Sequence, residues 1–80
     1  MNSFEKISLK LKITGLFEEA IFQDWILHRA RVLGLDVQIR LSSLTEIQCL
    51  VSGNPILVEA LEIACSLGPI NSIVENIEII

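Results

Sequence analysis

Apolar and polar residues alternate with a period of two near the start of the chain, over residues 7–13. That period is typical of a strand that buries one face, and Gly15 is predicted to end it. Over about residues 20–33 the apolar spacing becomes helical, with glutamates before the segment, arginines near its end and Gly34 after it. This distribution of charge suits a helix dipole, and glycine often supplies the left-handed residue that ends a helix. The first part of the chain therefore predicts a strand followed by a helix.

Three further segments alternate in the same way, at about residues 37–41, 47–51 and 74–79. Each is predicted to be a strand, and a turn over residues 42–45 is expected to join the first two. The side chains predicted to point inward are Val37, Ile39 and Leu41, then Ile47, Cys49 and Val51, and finally Val74, Ile77 and Ile79. A spacing of three between Val74 and Ile77 breaks the alternation, which predicts a β-bulge near Glu75 and Asn76.

A second helix is predicted to begin after Asn54 and to end at about Leu67, before Gly68-Pro69. Asn54 is a favourable N-cap, and Pro55 suits the first helical position because its missing N–H would have no partner there. The apolar residues expected to face inward are Leu57, Val58, Leu61, Ala64 and Cys65. A second apolar set, which we call the outer stripe, consists of Ile56, Ala60, Ile63 and Leu67. A surface helix normally has one apolar face, so the outer stripe predicts either a contact surface or a wider contact with the protein's own core.

The order of these elements predicts one α+β domain over residues 1–80, a length that suits a single core. A βαββαβ chain packs economically as a four-stranded antiparallel sheet with two helices on one face, which is the ferredoxin-like arrangement. Right-handed crossovers then place the first strand beside the third at the centre of the sheet. The other face of the sheet is expected to meet water through Lys6, Lys10 and Lys12.

Charge and cysteine content narrow the classes of partner. The net charge is −4 and the basic residues are scattered without forming a basic stripe, so nucleic-acid binding is not predicted. No apolar run approaches the roughly 20 residues of a membrane span, and the first residues do not resemble a signal peptide. Cys49 and Cys65 lie in apolar segments without a CxxC motif, which predicts buried free thiols in a reducing, cytoplasmic compartment and no metal site. No cofactor is predicted.

The junction between the first strand and the first helix reads Gly15-Leu16-Phe17-Glu18-Glu19-Ala20-Ile21-Phe22-Gln23. Other positions with matching residue types and spacing are Ala30, Leu33-Gly34-Leu35, Ile47, Gly53, Val58, Leu61 and Gly68-Pro69. In these residues the chain resembles the acylphosphatase family over essentially its whole length, without a gap. The resemblance implies the ferredoxin-like fold that the elements also predict.

The resemblance also implies where a phosphate site would lie. In that family the junction reads Gly-x-Val-Gln-Gly-Val-Gly-Phe-Arg, its amides cradle a phosphate, its Arg binds the same phosphate, and an Asn at the end of the second strand orients the attacking water. The Arg position is Gln23 here and the Asn position is Leu41. Glu18, Glu19 and Ile21 replace the Gln and the two inner glycines. The resemblance therefore implies a degenerate phosphate loop over Gly15, Leu16, Phe17, Glu18, Glu19, Ala20, Ile21 and Phe22, and no catalytic residues are expected.

These patterns favour a catalytically inactive acylphosphatase-like domain that binds a partner protein or itself, as a dimer, through the outer stripe. An alternative route for self-association is edge pairing through the strand at residues 37–41. The alternative functions are a genuine acylphosphatase that hydrolyses acyl phosphates with altered residues, and a small-molecule sensing module.

Four other side chains are expected to have structural roles only. His28, without converging partners, is predicted to face solvent, and Trp25 to pack beside the core. Arg29 is predicted to lay its stem on the core with its head in water. Ser42 and Ser43 are assigned to the turn.

Overall fold

Six elements follow one another in the computed structural model, which describes residues 5–80 apart from the side chain of Glu19. They are β1 (Ile7–Leu16), α1 (Glu19–Val32), β2 (Asp36–Ser42), β3 (Glu46–Gly53), α2 (Pro55–Leu67) and β4 (Ile73–Ile79). The predicted βαββαβ order is confirmed. Two of the predicted helix ends are confirmed as well: Gly34 adopts a φ of 72°, and the Asn54 side chain accepts a hydrogen bond from the Ile56 N–H at 2.9 Å.

The strands form one antiparallel sheet in the order β2-β3-β1-β4, so the predicted placement of the first strand beside the third is confirmed. The side chains of alternate β1 residues, including Leu11 and Ile13, are fully buried beneath the helices. Lys6 and Lys10 are exposed and Lys12 is half-buried, which agrees with the predicted water-facing side of the sheet. No helix within residues 5–80 is both long and apolar enough to cross a membrane.

The core lies between the helices and the sheet. Its buried members are Leu11, Ile13, Phe17, Phe22, Ile26, Ala30, Leu35, Ile47, Cys49, Val51, Val58, Leu61 and Cys65. Three residues predicted to point inward are exposed instead, namely Ile79, Leu57 and, after a bulge described below, Leu41. Ile79 is 58% exposed, because it belongs to an edge strand with a neighbour on one side only, and Leu57 is exposed because it lies on the flank of α2.

One irregularity in the sheet was predicted. On β4 the pairing shifts between Thr14↔Asn76 and Gly15↔Val74, which leaves Glu75 as the extra residue. The predicted bulge near Glu75 and Asn76 is therefore confirmed.

A second irregularity, in β2, was not predicted. The pairing shifts from Ile39↔Cys49 to Leu41↔Gln48, so Arg40 is the extra residue of a second bulge. Because facing residues of paired strands share a face, Leu41 lies with Gln48 on the open face of the sheet and is 44% exposed. The prediction that Leu41 points inward is wrong, since one extra residue reverses the face of everything after it.

Candidate functional site

The junction between β1 and α1, where the resemblance implies a phosphate site, is short. Only Phe17 and Glu18 connect the strand to the helix. The N–H of Gly15 donates to the Thr45 carbonyl at 3.1 Å, and the N–H of Phe17 donates to the Leu44 carbonyl at 2.9 Å. These amides are held by the β2–β3 turn. The amides left to meet a ligand here are those of the first turn of α1, which have no partner within the helix.

Side chains occupy this junction in a way that does not favour an anion. The Phe17 ring is buried and its centroid lies 4.7 Å from that of Phe22. Glu18 is the N-cap of α1, is exposed and makes no capping hydrogen bond with its side chain. A carboxylate within about 4 Å of a bound anion would raise its energy by about 1–4 kcal/mol, depending on exposure. Ile21, at the position of an inner glycine, is 53% exposed.

The two positions that the resemblance assigns to catalysis lie on different parts of the fold. Gln23 is half-buried on α1, whereas Leu41 lies on the open face of the sheet beside Gln48. The residue that shares the helix-covered face with Ile47 at this level is Ser42, and its Oγ is buried without a hydrogen-bond partner in the described part of the chain. Ser42 was predicted to lie in the turn, and it is instead the last residue of β2. Ser42 lies on this face because of the bulge at Arg40. That bulge arises from the pairing of β2 with β3, and no pattern of residues in β2 predicts it.

The outer stripe lies on the surface of α2. Ile56, Ile63 and Leu67 are 76%, 58% and 79% exposed, and Ala60 between them is half-buried. At 100° per residue, the stripe is centred nearly opposite the buried residues Val58, Leu61 and Cys65. The stripe is therefore not part of the core of this domain.

Different side chains border the outer stripe on its two flanks. Glu59 and Ser66 lie on the flank toward β4, and Leu57 and Ala64 lie on the other flank. The exposed surface of α2 thus consists of an apolar stripe that widens on one side and is bordered by a carboxylate on the other.

Other candidates singled out in the sequence have structural surroundings. His28 is exposed, as predicted. The Arg29 guanidinium, in the last turn of α1, lies 5.3 Å from the centroid of the Trp25 ring one turn earlier, a cation–π contact, and Trp25 packs against the core as predicted. Cys49 and Cys65 are buried and free. Burial raises the pKa of Cys49 to about 11; it also raises the pKa of Cys65 to about 12, with smaller contributions from the charges of Cys49 and Glu62.

The fold of this chain is similar to that of known proteins, although its sequence is not. No protein-family model matches the chain, and no curated protein sequence matches it. Among solved structures it is similar to an acylphosphatase from Coxiella burnetii, with a TM-score of 0.83 and 18% identity over 94% of this chain and 81% of that one. An acylphosphatase from Bacillus subtilis gives a TM-score of 0.83 and 14% identity over 95% of this chain and 83% of that one.

A third similar structure is full-length HypF in its phosphate- and nucleotide-bound form. Its TM-score is 0.79 and its identity 18%, over 99% of this chain but 10% of that one. The resemblance drawn from the junction and the glycines is thus confirmed at the level of the fold: the chain has the ferredoxin-like fold of acylphosphatases.

Proposed function

We propose that this acylphosphatase-like domain works by binding rather than by hydrolysis, and that it forms a homodimer through the outer stripe of α2. The observation that carries the proposal is the strong exposure of Ile56, Ile63 and Leu67 on the side of α2 opposite its core. The junction at Phe17 and Glu18 supports the negative half of the proposal, because its amides and charge suit a phosphate poorly.

The spacing of the outer stripe favours a second copy as the occupant. Positions 56, 60, 63 and 67 follow intervals of four, three and four, which read the same in both directions along the helix. Two α2 helices related by a twofold axis therefore place Ile56 against Leu67 of the other copy and the small Ala60 against the large Ile63. Large and small residues then alternate across the contact, as close packing between helices requires.

The polar border is compatible with the same antiparallel arrangement. Glu59 of one copy comes beside Ser66 of the other, so the two Glu59 carboxylates do not meet. On the opposite flank, Leu57 comes beside Ala64 and adds apolar contact. The arrangement therefore joins apolar surface to apolar surface without placing like charges together.

The exposed area sets the expected strength. Ile56, Ile63 and Leu67 together leave the equivalent of about two whole side chains in water. Burying them in both copies contributes about 6–12 kcal/mol, at roughly 1.5–3 kcal/mol for each side chain. Association itself costs about 4–15 kcal/mol, so the dimer is expected to dissociate in the range from about 1 μM upward.

Sedimentation velocity over a series from about 1 μM to hundreds of micromolar tests the proposal. The wild type should shift from monomer to dimer, and Ile63→Glu should remain monomeric, because it puts a charge at the centre of the contact. Its melting temperature should stay close to that of the wild type, since Ile63 lies outside the core.

Val32→Glu is the matched control, because Val32 is also an exposed β-branched residue and lies on the other helix. It should dimerise like the wild type. A wild type that is monomeric over the whole series would refute the proposal, and so would dissociation by Val32→Glu to the same extent as by Ile63→Glu.

We also propose that the protein resides in the cytoplasm. The support for this location is the pair of buried free thiols, Cys49 and Cys65, a state that a reducing compartment maintains.

A further inference from the structure

Within residues 5–80, the first three residues of β1, from Ile7 to Leu9, have a neighbouring strand on one side only. β4 pairs with β1 from Leu11↔Ile79 to Leu16↔Ile73, and the Ile80 N–H adds one bond to the Lys10 carbonyl at 2.9 Å. Before Lys10, β1 is bordered by β3 alone within residues 5–80. A strand at the centre of the sheet thus becomes an edge strand over its first residues.

Within the described residues, the backbone N–H and C=O of Ser8 have no partner strand at this edge. In an antiparallel ladder the N–H and C=O of one residue point to the same side, and the side alternates along the strand. The Lys10 carbonyl points toward β4, so Ser8, two residues earlier, points its N–H and C=O to the uncovered side. Its side chain is engaged elsewhere, 2.8 Å from the Ser52 Oγ. Ser8 therefore presents one donor and one acceptor, side by side, to an incoming strand.

A groove runs along this edge between β1 and α2. Its volume is about 460 Å³, which is within the range of about 300–1,000 Å³ found for ligand sites. Ile7, Leu9 and Ile63 supply apolar walls, and the carboxylates of Glu59 and Glu62 stand at the helix side of the groove. Among the described residues, the lining thus combines apolar surface with two negative charges and no positive one.

We propose that this edge binds an extended peptide segment that carries Lys or Arg at alternate positions. The backbone of the segment continues the line of β4 and pairs with Ser8. Its inward side chains lay their aliphatic stems on Leu9 and Ile63 and bring their cationic heads to Glu59 and Glu62.

Charge selects this occupant over a second copy of the chain. Two copies paired through this edge would bring both pairs of carboxylates, Glu59 and Glu62, toward one another, and like charges at close range are unfavourable. A basic segment meets the same carboxylates with opposite charge. The edge is accordingly distinct from the dimer contact proposed for the outer stripe, although Glu59 and Ile63 border both.

The probe is the pentapeptide acetyl-Thr-Arg-Thr-Arg-Thr-amide, titrated into the ¹⁵N-labelled full chain and followed by amide shifts and hydrogen exchange. The expected result is saturable binding, with the Ser8 amide shifted and protected from exchange. Binding should weaken as salt is raised, because exposed ion pairs are screened. A peptide with Glu in place of both Arg residues should not bind.

Protein variants separate the charge from the backbone contribution. Glu59→Gln combined with Glu62→Gln should weaken binding about tenfold at low salt, whereas Glu75→Gln, on the β4 bulge, should leave it unchanged. Ser8→Pro removes the edge donor without removing a bond to β3. In case that variant folds poorly, a peptide N-methylated at its central Thr, the residue that lies opposite Ser8 and shares its face, removes the matching backbone donor from the ligand and should also fail to bind.

Leu67→Glu separates this proposal from that of the dimer, since Leu67 lies outside the groove. It should abolish dimerisation and leave peptide binding intact. The peptide-site proposal is overturned if the Ser8 amide does not respond, if binding is indifferent to the two Gln substitutions, or if the shifts fall on Ile56, Ala60 and Leu67, the part of the outer stripe outside the groove. Protection of Ser8 that rises with protein concentration alone would assign the edge to a second copy and overturn it equally.

Discussion

Gly15→Ala is expected to destabilise the fold by forcing β4 away from β1. Gly15 is buried and lies opposite Val74, where the bulge shifts the register of β4. A Cβ at this position would overlap the Ile73 carbonyl oxygen and would lie 3.1 Å from Cε1 of Phe17. The first of these neighbours is backbone, which cannot rotate away. The two strands must therefore separate locally.

The size of the effect follows from the kind of clash. Overpacking of a well-packed site costs about 1–3 kcal/mol, and the φ of Gly15 is not in the left-handed region, so no backbone strain adds to it. For a domain of this size, each kcal/mol lowers the melting temperature by about 4–8 °C. A fall of roughly 5–20 °C is expected on that basis. Calorimetry and urea unfolding both measure it, and amide exchange should quicken first along β4.

Gly34→Ala is the matched control. Gly34 has a φ of 72°, and a Cβ there would meet open space, so this substitution adds backbone strain of about 1–2 kcal/mol without a clash. Gly15→Ala adds the clash without the strain. If Gly15→Ala lowers the melting temperature by less than about 4 °C while Gly34→Ala still lowers it, β4 can adjust freely at the bulge and the steric reasoning is wrong.

Two further predictions concern activity and pH. The purified protein should not hydrolyse benzoyl phosphate above the buffer rate, and Gln23→Arg with Leu41→Asn should restore little activity because Leu41 lies on the open face of the sheet; strong turnover by that pair, inhibited by phosphate, would contradict this. Thiols in the unfolded chain ionise near pH 9, whereas the folded pKa values are about 11 for Cys49 and about 12 for Cys65, so the folded state retains protons that the unfolded state loses. Stability should therefore fall as pH rises from about 9 toward 11, by up to about 1.4 kcal/mol per pH unit for each thiol. Cys65→Ala should flatten that fall in urea unfolding, and an unchanged slope would show that other groups cause it.

Local patterns were sufficient for most of the fold. Alternation fixed the strands, Asn54-Pro55 marked the start of α2, and Gly34 marked the end of α1, because each of these signals acts within a few residues. Even the bulge at Glu75 left a trace, since Val74 and Ile77 are three residues apart. Each prediction of this kind depended on neighbours in sequence only.

Properties that depend on a neighbouring strand could not be predicted in this way. Leu41 continues a regular alternation with Ile39, yet the bulge at Arg40, set by pairing with β3, turns it to the other face. Ile79 has the right phase for the core, but it is exposed because its strand lies at the edge of the sheet and has a neighbour on one side only.

The two candidate binding sites differ in the same way: one depends on local pattern and the other on strand pairing. The outer stripe could be predicted because helical phase alone separates Ile63 from the core residues of α2. The free edge at Ser8 could not, because it depends on where the pairing of β4 with β1 stops.

Cys49 and Cys65 come from the two layers of the domain, one from β3 and one from α2, and neither exposes any surface. An alkylating reagent can reach them only when the molecule opens, so their labelling rates report the frequency of opening in unmodified protein. If α2 detaches from the sheet as a unit, both thiols become accessible together and react at the rate of a single event. If the last turn of α2 frays alone, Cys65 is labelled and Cys49 is not. The ratio of the two labelling rates, measured with and without a binding partner, therefore reports how often the end of α2 opens by itself.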